Sequence, residues 1–256
     1  MKLSMHTRKN INKDTLLFFD EIQVCPKAIV SLKIFSQSSF NVIASGSLLG
    51  VSLNNISSFP VGYVETQILY PLNFKEFLCS QGIQPQIIDY LYQCFIEKKA
   101  VDEYIHQQIN DLLLKYVVVG GMSAVINQFN QCKDFESVIS IQKQIISDYR
   151  NDMAKYTSNT MREKVKTVYD SLCDQLAMDN KKFQYKVVKS GGTARYYASS
   201  IDWIVNSGLA FKVNKLKTIV IPLKAYRDPQ SFKLYLNDTG LLLSMYEENM
   251  YLKILN

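Results

Sequence analysis

The 256-residue chain has little of what many common chemistries require. It has two histidines, His6 and His106, and neither sits in a metal-ligand spacing. Its five cysteines, Cys25, Cys79, Cys94, Cys132 and Cys173, are odd in number, widely spaced and form no C-x-x-C pair. These absences argue against a zinc site, a disulfide framework and Cys–His nucleophilic catalysis. No apolar run approaches the ~18–20 residues that a membrane helix needs. The basic start, Met1 to Lys9, is not followed by the apolar stretch of a signal peptide. The expectation is a cytoplasmic protein with no membrane partner. Finally, none of the ten glycines is followed by lysine, so the phosphate-cradling G-x-x-x-x-G-K-[ST] loop does not occur.

What is present is an ordinary globular composition, 47% hydrophobic and 20% charged, enough for one large domain or two ordinary ones. The net charge of +6 is unevenly placed. Residues 1–128 balance ten basic against ten acidic side chains. Residues 181–233 hold eleven basic side chains against Asp202 and Asp228, a local +9. A field of that sign attracts phosphate or acidic partners, although a solvated basic face is its commoner meaning.

The first segment alternates strand and helix signals. Leu16-Leu17-Phe18-Phe19 reads as a strand buried on both faces, ending in Asp20-Glu21. Ala28–Phe35 reads as a helix, Phe40–Ala44 as a second buried strand ending in Ser45-Gly46-Ser47, and Tyr63–Leu69 as a third, alternating strand. Strand, helix, strand with short links is the grammar of a parallel sheet in an α/β fold. From Pro71 the pattern becomes helical. Asn73 and Glu76 approximate a capping box, and helices are expected at about 85–98, 101–116, 122–131, 135–156 and 160–179. Gly120-Gly121 reads as a tight turn. Ile139, Ile141, Ile145, Ile146 and Tyr149 give the helix at 135–156 an apolar face. In the basic segment, Ser199–Val205 reads as a helix stopped near Gly208. Strands are expected at 209–213, 218–221 and 232–236. Helices followed by a hairpin suggest a winged helix-turn-helix, for which DNA contact and packing between domains are equal readings.

Four apolar residues followed by Asp20-Glu21 have the Walker B form: a strand delivers Asp20 to magnesium beside a triphosphate, and Glu21 polarises the attacking water. Taken alone, Asp20 as a helix cap and Glu21 as a solvated acid is the commoner meaning. Ser45-Gly46-Ser47 at the next strand end shifts the balance, because both ends face the edge where α/β sheets bind ligands. Ser45 or Ser47 is then placed to bond a γ-phosphate or the water. Without a phosphate loop, this amounts to half of a nucleotide site. Glu97-Lys98-Lys99 and Asp179-Asn180-Lys181 mimic a nuclease tail but fall in helical surroundings, and Arg195 and Arg227 read as surface charges.

Six motifs in order carry a family resemblance: Leu16–Gln23, Val42–Val51, Ser58–Gly62, Tyr70–Leu78, Tyr116–Met122 and Phe232–Leu242. Over roughly 14–246 the chain resembles the AAA-type P-loop ATPases of bacteria and archaea that carry a C-terminal domain of unknown function. The resemblance implies a partial ATPase core at 1–72, a helical region at 73–180 and a basic winged-helix-like region at 181–256. It implies ATP and magnesium as ligands, with Glu21 catalytic and Asp20 holding magnesium through water. Ser45 and Ser47 fall on the sensor strand end. The chain looks like the middle of such a protein, lacking the P-loop strand. Strands 16–20 and 40–44 should therefore have exposed apolar edges, and the isolated chain should hydrolyse ATP weakly or not at all. Expected partners are duplex DNA through Lys186, Lys189 and Arg195, and a second copy or absent chain segments.

Overall fold

The computed structural model describes residues 14–38, 41–46, 62–246 and 249–255. The chain divides into two compact units, Met1–Leu69 with Asn206–Gly208, and Tyr70–Val205 with Leu209–Asn256.

In the first unit, β1 (Leu16–Phe19) pairs with β2 (Asn41–Ala44) in parallel, with Leu16 opposite Asn41 and Phe19 opposite Ala44. A parallel pair needs a crossover, and α1 (Pro26–Phe35) supplies it. Pro26 suits the first turn, where its missing N–H loses nothing. Phe35 of α1 meets Phe19 with ring centroids 5.4 Å apart. Ile22 and Ile29 are buried.

Two expectations are corrected here. β1 is not buried on both faces: Leu17 and Phe19 are half-buried, while Leu16, Phe18 and Ile43 of β2 are mostly exposed. An apolar run does not specify how many layers cover it, and α1 covers one face. Tyr63–Leu69 forms no strand: Tyr63 lies in a turn, and residues 64–69 meet no neighbouring ladder among the described residues. Phe40 of the expected second strand, residues 47–51 of the second motif (Ser47 among them) and residues 58–61 of the third lie outside the described residues.

The second unit is mainly helical. Its described helices are α2 (Phe74–Ser80), α3 (Pro85–Glu97), α4 (Glu103–Val119), α5 (Ser123–Cys132) and α6 (Phe135–Tyr156), then α7 (Asn159–Asp170), α8 (Leu172–Ala177), α9 (Tyr185–Val188) and α10 (Ala194–Asn206), and finally α11 (Thr239–Ser244) and α12 (Met250–Leu255). The capping box on α2 is complete. Asn73 Oδ1 accepts from Glu76 N–H at 3.1 Å, and Glu76 Oε2 accepts from Asn73 N–H at 2.8 Å. Asp102 and Asp134 cap α4 and α6 more simply, their carboxylates accepting from amides of the first turn. The expected helix at 160–179 is two helices, α7 and α8, separated at Ser171. The core gathers Phe77, Val119, Val125, Ile126, Phe129 and Val138.

β3 (Ala210–Leu216) and β4 (Arg227–Leu236) form an antiparallel hairpin. The expected strand at 218–221 does not form. The ladder ends where Leu216 faces Arg227, and Lys217 N–H donates to Tyr226 O at 2.9 Å, so 218–225 become the connection. A short 3-10 turn, Leu223–Tyr226, leads into β4. Phe183 stacks on Phe232 at 5.3 Å and holds the hairpin against the turn before α9.

Candidate functional site

The first unit brings Asp20, Glu21 and Ser45 together. β1 and β2 run in parallel, so their C-terminal ends lie side by side and deliver Asp20-Glu21 and Ser45-Gly46 to one edge. Backbone bonds fix the approach: Ser45 N–H donates to Phe19 O at 2.8 Å, and Ile22 N–H donates to Ser45 O at 2.9 Å. Side chains complete it. The Ser45 hydroxyl donates to Asp20 Oδ1 and accepts from Glu21 N–H at 3.4 Å. Gln23 Nε2 donates to the Glu21 carboxylate. Glu21 lies in the left-handed region at φ 49°, an uncommon backbone state for a non-glycine residue and one that turns the chain sharply after Asp20.

This arrangement changes what Ser45 does. Its single hydroxyl proton is committed to Asp20, so Ser45 orients the carboxylate in this conformation. The donor set of one exposed carboxylate and one hydroxyl fits magnesium, which keeps several waters and takes few protein ligands. No group of three or more His, Cys, Asp or Glu suited to hold a metal exists among the described residues. Asp20 and Ser45 therefore suit a water-bound ion beside a phosphate; the amides and lysine of a phosphate cradle are not part of this set.

The basic residues singled out in the sequence lie in the second unit. Lys186 is on α9, Lys189 just after it and Arg195 in the first turn of α10, all exposed. Between α9 and α10, Gly191 at φ 75° turns the chain. The inner side of α10 buries Tyr197, Ile201, Trp203 and Ile204. Lys164 on α7 lies 3.6 Å from the Tyr196 ring centroid.

A second polar cluster, not assigned a role from sequence, joins three of the six motifs inside the second unit. Asp238 is buried and accepts from Gly121 N–H at 2.5 Å and from Leu241 N–H at 2.9 Å. Burial pushes its carboxyl above the ordinary value of 3.8, against the pull of the amide donors. Gly120, at φ 75°, leaves no room for a Cβ, which would stand 2.2 Å from Asp238 Oδ1. Leu72 N–H donates to Gly121 O at 2.7 Å, and the Tyr116 hydroxyl donates to Leu72 O at 2.8 Å. Gln142, fully buried, donates to Val118 O and Val119 O at 2.9 Å each and accepts from Ser244 at 2.5 Å. The Asp-Thr-Gly-Leu start of α11 carries a helix-capping signal that identifies Asp238. Gln142 carries none, because polarity at one position of an amphipathic helix reads as surface.

Residues 110–251, more than half of the chain, match the family described as Domain of unknown function (DUF8612). The chain belongs to that family. Ahead of the DUF8612 region, residues 2–78 match an AAA domain. An AAA-domain match therefore stands ahead of the domain of unknown function, in the order that the motifs imply. The first four motifs fall within the AAA match, and the last two fall within the DUF8612 match. In structure, the chain is similar to the Walker-type ATPase of Pyrococcus abyssi, at 12% identity and a TM-score of 0.50. The match covers 91% of this chain and 63% of that protein, so the chain spans under two thirds of that relative's length. At that identity the likeness shows the fold: α/β, with a small parallel sheet, of the Walker-type ATPase kind. Curated proteins give no sequence match. No described helix is long and apolar enough to cross a membrane.

Proposed function

We propose that this chain is an AAA-type ATPase relative in which Asp20 and Glu21 are Walker B acids. The observation that carries the reading is the Ser45–Asp20 hydrogen bond, which joins the ends of two parallel strands at a ligand-binding edge. Asp20 would hold magnesium through water, and the ion would supply charge stabilisation at the phosphates. Ser45 positions the Asp20 carboxylate. Glu21, one residue on and turned by its left-handed backbone, accepts the proton of an attacking water. A cradle for the β- and γ-phosphates is absent from the 256 residues, so the isolated chain binds nucleotide weakly and turns it over slowly or not at all. A cytoplasmic setting belongs to the same reading.

Titration calorimetry of the full chain with ATP and magnesium tests this. Weak binding that disappears in Asp20→Ala is expected. No heat with either protein at millimolar nucleotide would sink the nucleotide reading. Magnesium-dependent turnover abolished by Glu21→Gln would overturn the statement about weak hydrolysis while keeping the acid in its role.

A second reading rests on a different observation. From Trp203 to Arg227 there is no acidic residue and there are five cations, and α9, α10 and the β3–β4 hairpin follow one another in the order of a winged helix. Lys186, Lys189 and Arg195 would meet duplex phosphates. Duplex binding that weakens steeply with salt, and whose salt dependence flattens on neutralising these three residues, supports that reading. Binding unchanged in the triple variant removes it.

A further inference from the structure

Two exposed apolar faces of opposite charge lie on the second unit, and neither has a role in the nucleotide site. One is on α3, where Tyr92, Phe95 and Ile96 share a helical face and all stand exposed, Phe95 at 77%. Helices α3 and α4 with their link, residues 85–119, carry Asp89, Glu97, Asp102, Glu103 and Asp111 against Lys98, Lys99 and Lys115, a net −2. The other is the connection between β3 and β4, where Ile219 is 87% and Ile221 89% exposed, with Leu223 close behind. Lys215, Lys217, Lys224 and Arg227 flank it against Asp228 alone, while Lys212 lies further back, 4.0 Å from Asp202.

Isolated exposed apolar residues need no explanation, but clusters rimmed by charge mark interaction surfaces. The charges select the pairing. Two α3–α4 faces meeting would set a net −2 against a net −2, and two hairpin tips would set four cations against four, so a self-complementary contact is disfavoured. The opposite-charge combination is attractive and buries both apolar clusters. We propose that a second copy of this chain occupies these faces head to tail, the β3–β4 tip of one copy seated on the α3 face of the next. Such a contact is heterologous, so each copy keeps one free face of each kind, and assembly continues into rings or open chains.

The distinguishing property of a heterologous contact is that two different broken faces complement each other. Sedimentation velocity on the full chain should show concentration-dependent association in the micromolar range, weakened by raising salt from ~0.05 to ~0.5 M. Phe95→Asp and Ile221→Asp should each weaken it at least ~10-fold. Mixed in equal amounts, the two variants should form a dimer and stop there, because one intact α3 face meets one intact tip. Wild-type chain that stays monomeric, association untouched by either substitution, or a mixture that remains monomeric would each overturn the proposal. Retention by anionic vesicles or duplex DNA, lost in Ile221→Asp while the wild type stays monomeric, would assign the tip to another surface and equally overturn it. Both substituted side chains are solvated, so folding should be retained. Lys217→Glu, which should weaken association with the apolar contacts intact, serves if either variant fails to fold. None of these outcomes depends on nucleotide.

Discussion

The two units hold their motifs in opposite ways. In the first, the acidic pair sits at the end of a four-residue strand with one described ladder partner, and among the described residues only Ile22 and Ile29 are buried apolar side chains. In the second, Asp238, Gly121, Leu72, Tyr116 and Gln142 are tied by buried and half-buried hydrogen bonds against an apolar core. Motifs that look alike in sequence therefore have different physical work. Those at 16–23 and 42–46 present polar atoms to solvent. Those at 70–78, 116–122 and 232–242 spend their polar atoms on one another and fix the fold.

The sharpest way to break that contrast is Gly240→Ala. A Cβ there would lie 2.6 Å from Val119 O and 2.3 Å from Gln142 Nε2, both in the buried cluster. A loss of about 3 kcal/mol is expected, read as a lower urea midpoint. If Gly240→Ala melts like the wild type, the cluster is slack and the contrast fails.

Asp238→Asn should come next. The two carboxylate oxygens accept from different N–H groups, and an amide offers only one acceptor, so one buried donor loses its partner. About 1–3 kcal/mol should be lost. The same variant tests the titration. Because burial raises the folded pKa of Asp238 above 3.8, its protonated form adds stability at low pH. That contribution is complete below 3.8 and disappears as pH rises through the folded value. Urea midpoints from acid to neutral pH should show this component in the wild type and not in Asp238→Asn. Equal pH profiles for the two proteins would place the titration elsewhere.

Ser45→Ala probes the first unit. It removes the donor to Asp20 at a partly solvated edge, so about 0.5–1.5 kcal/mol or less of local stability is expected to go. The unfolding of the second unit should not move. A shift of the main transition comparable to that of Gly240→Ala would mean that the two units unfold together.

The smallest effect belongs to the Arg150–Asp170 pair, which joins α6 to α7 at 2.8 Å with both side chains more than a third exposed. Solvent screens it, and Arg150→Ala should cost less than about 1 kcal/mol, shrinking further in salt. A cost near that of Asp238→Asn would show that the surface of the second unit matters as much as its interior.

Much of the helical architecture was legible because local rules settle it. The expected helix at 135–156 is α6 residue for residue, and the capping box at Asn73 is complete. The misreadings share one cause, which is dependence on distant partners. Leu16 to Phe19 has the composition of a doubly covered strand, yet only neighbouring elements decide what covers it. Tyr63–Leu69 and Thr218–Ile221 have strand composition, but a strand forms only where another chain segment offers a free ladder. Asp20, Glu21 and Ser45 were nameable from spacing because parallel strands put their C-terminal ends together. That the Ser45 proton goes to Asp20 was not, since it depends on how close the two turns come.

By itself, the sequence determined where most helices lie, though not the break at Ser171, together with the parallel pairing of the first two strands and the uneven charge, all of which follow from short-range pattern or from counting. It also shows that no G-x-x-x-x-G-K-[ST] pattern occurs in these 256 residues. Tertiary structure alone decided that Asp238 and Gln142 are buried between segments more than a hundred residues apart, and that Phe95 and Ile221 remain in water. Burial depends on which surfaces meet in space, and the order of residues along a chain does not contain that until the chain has folded.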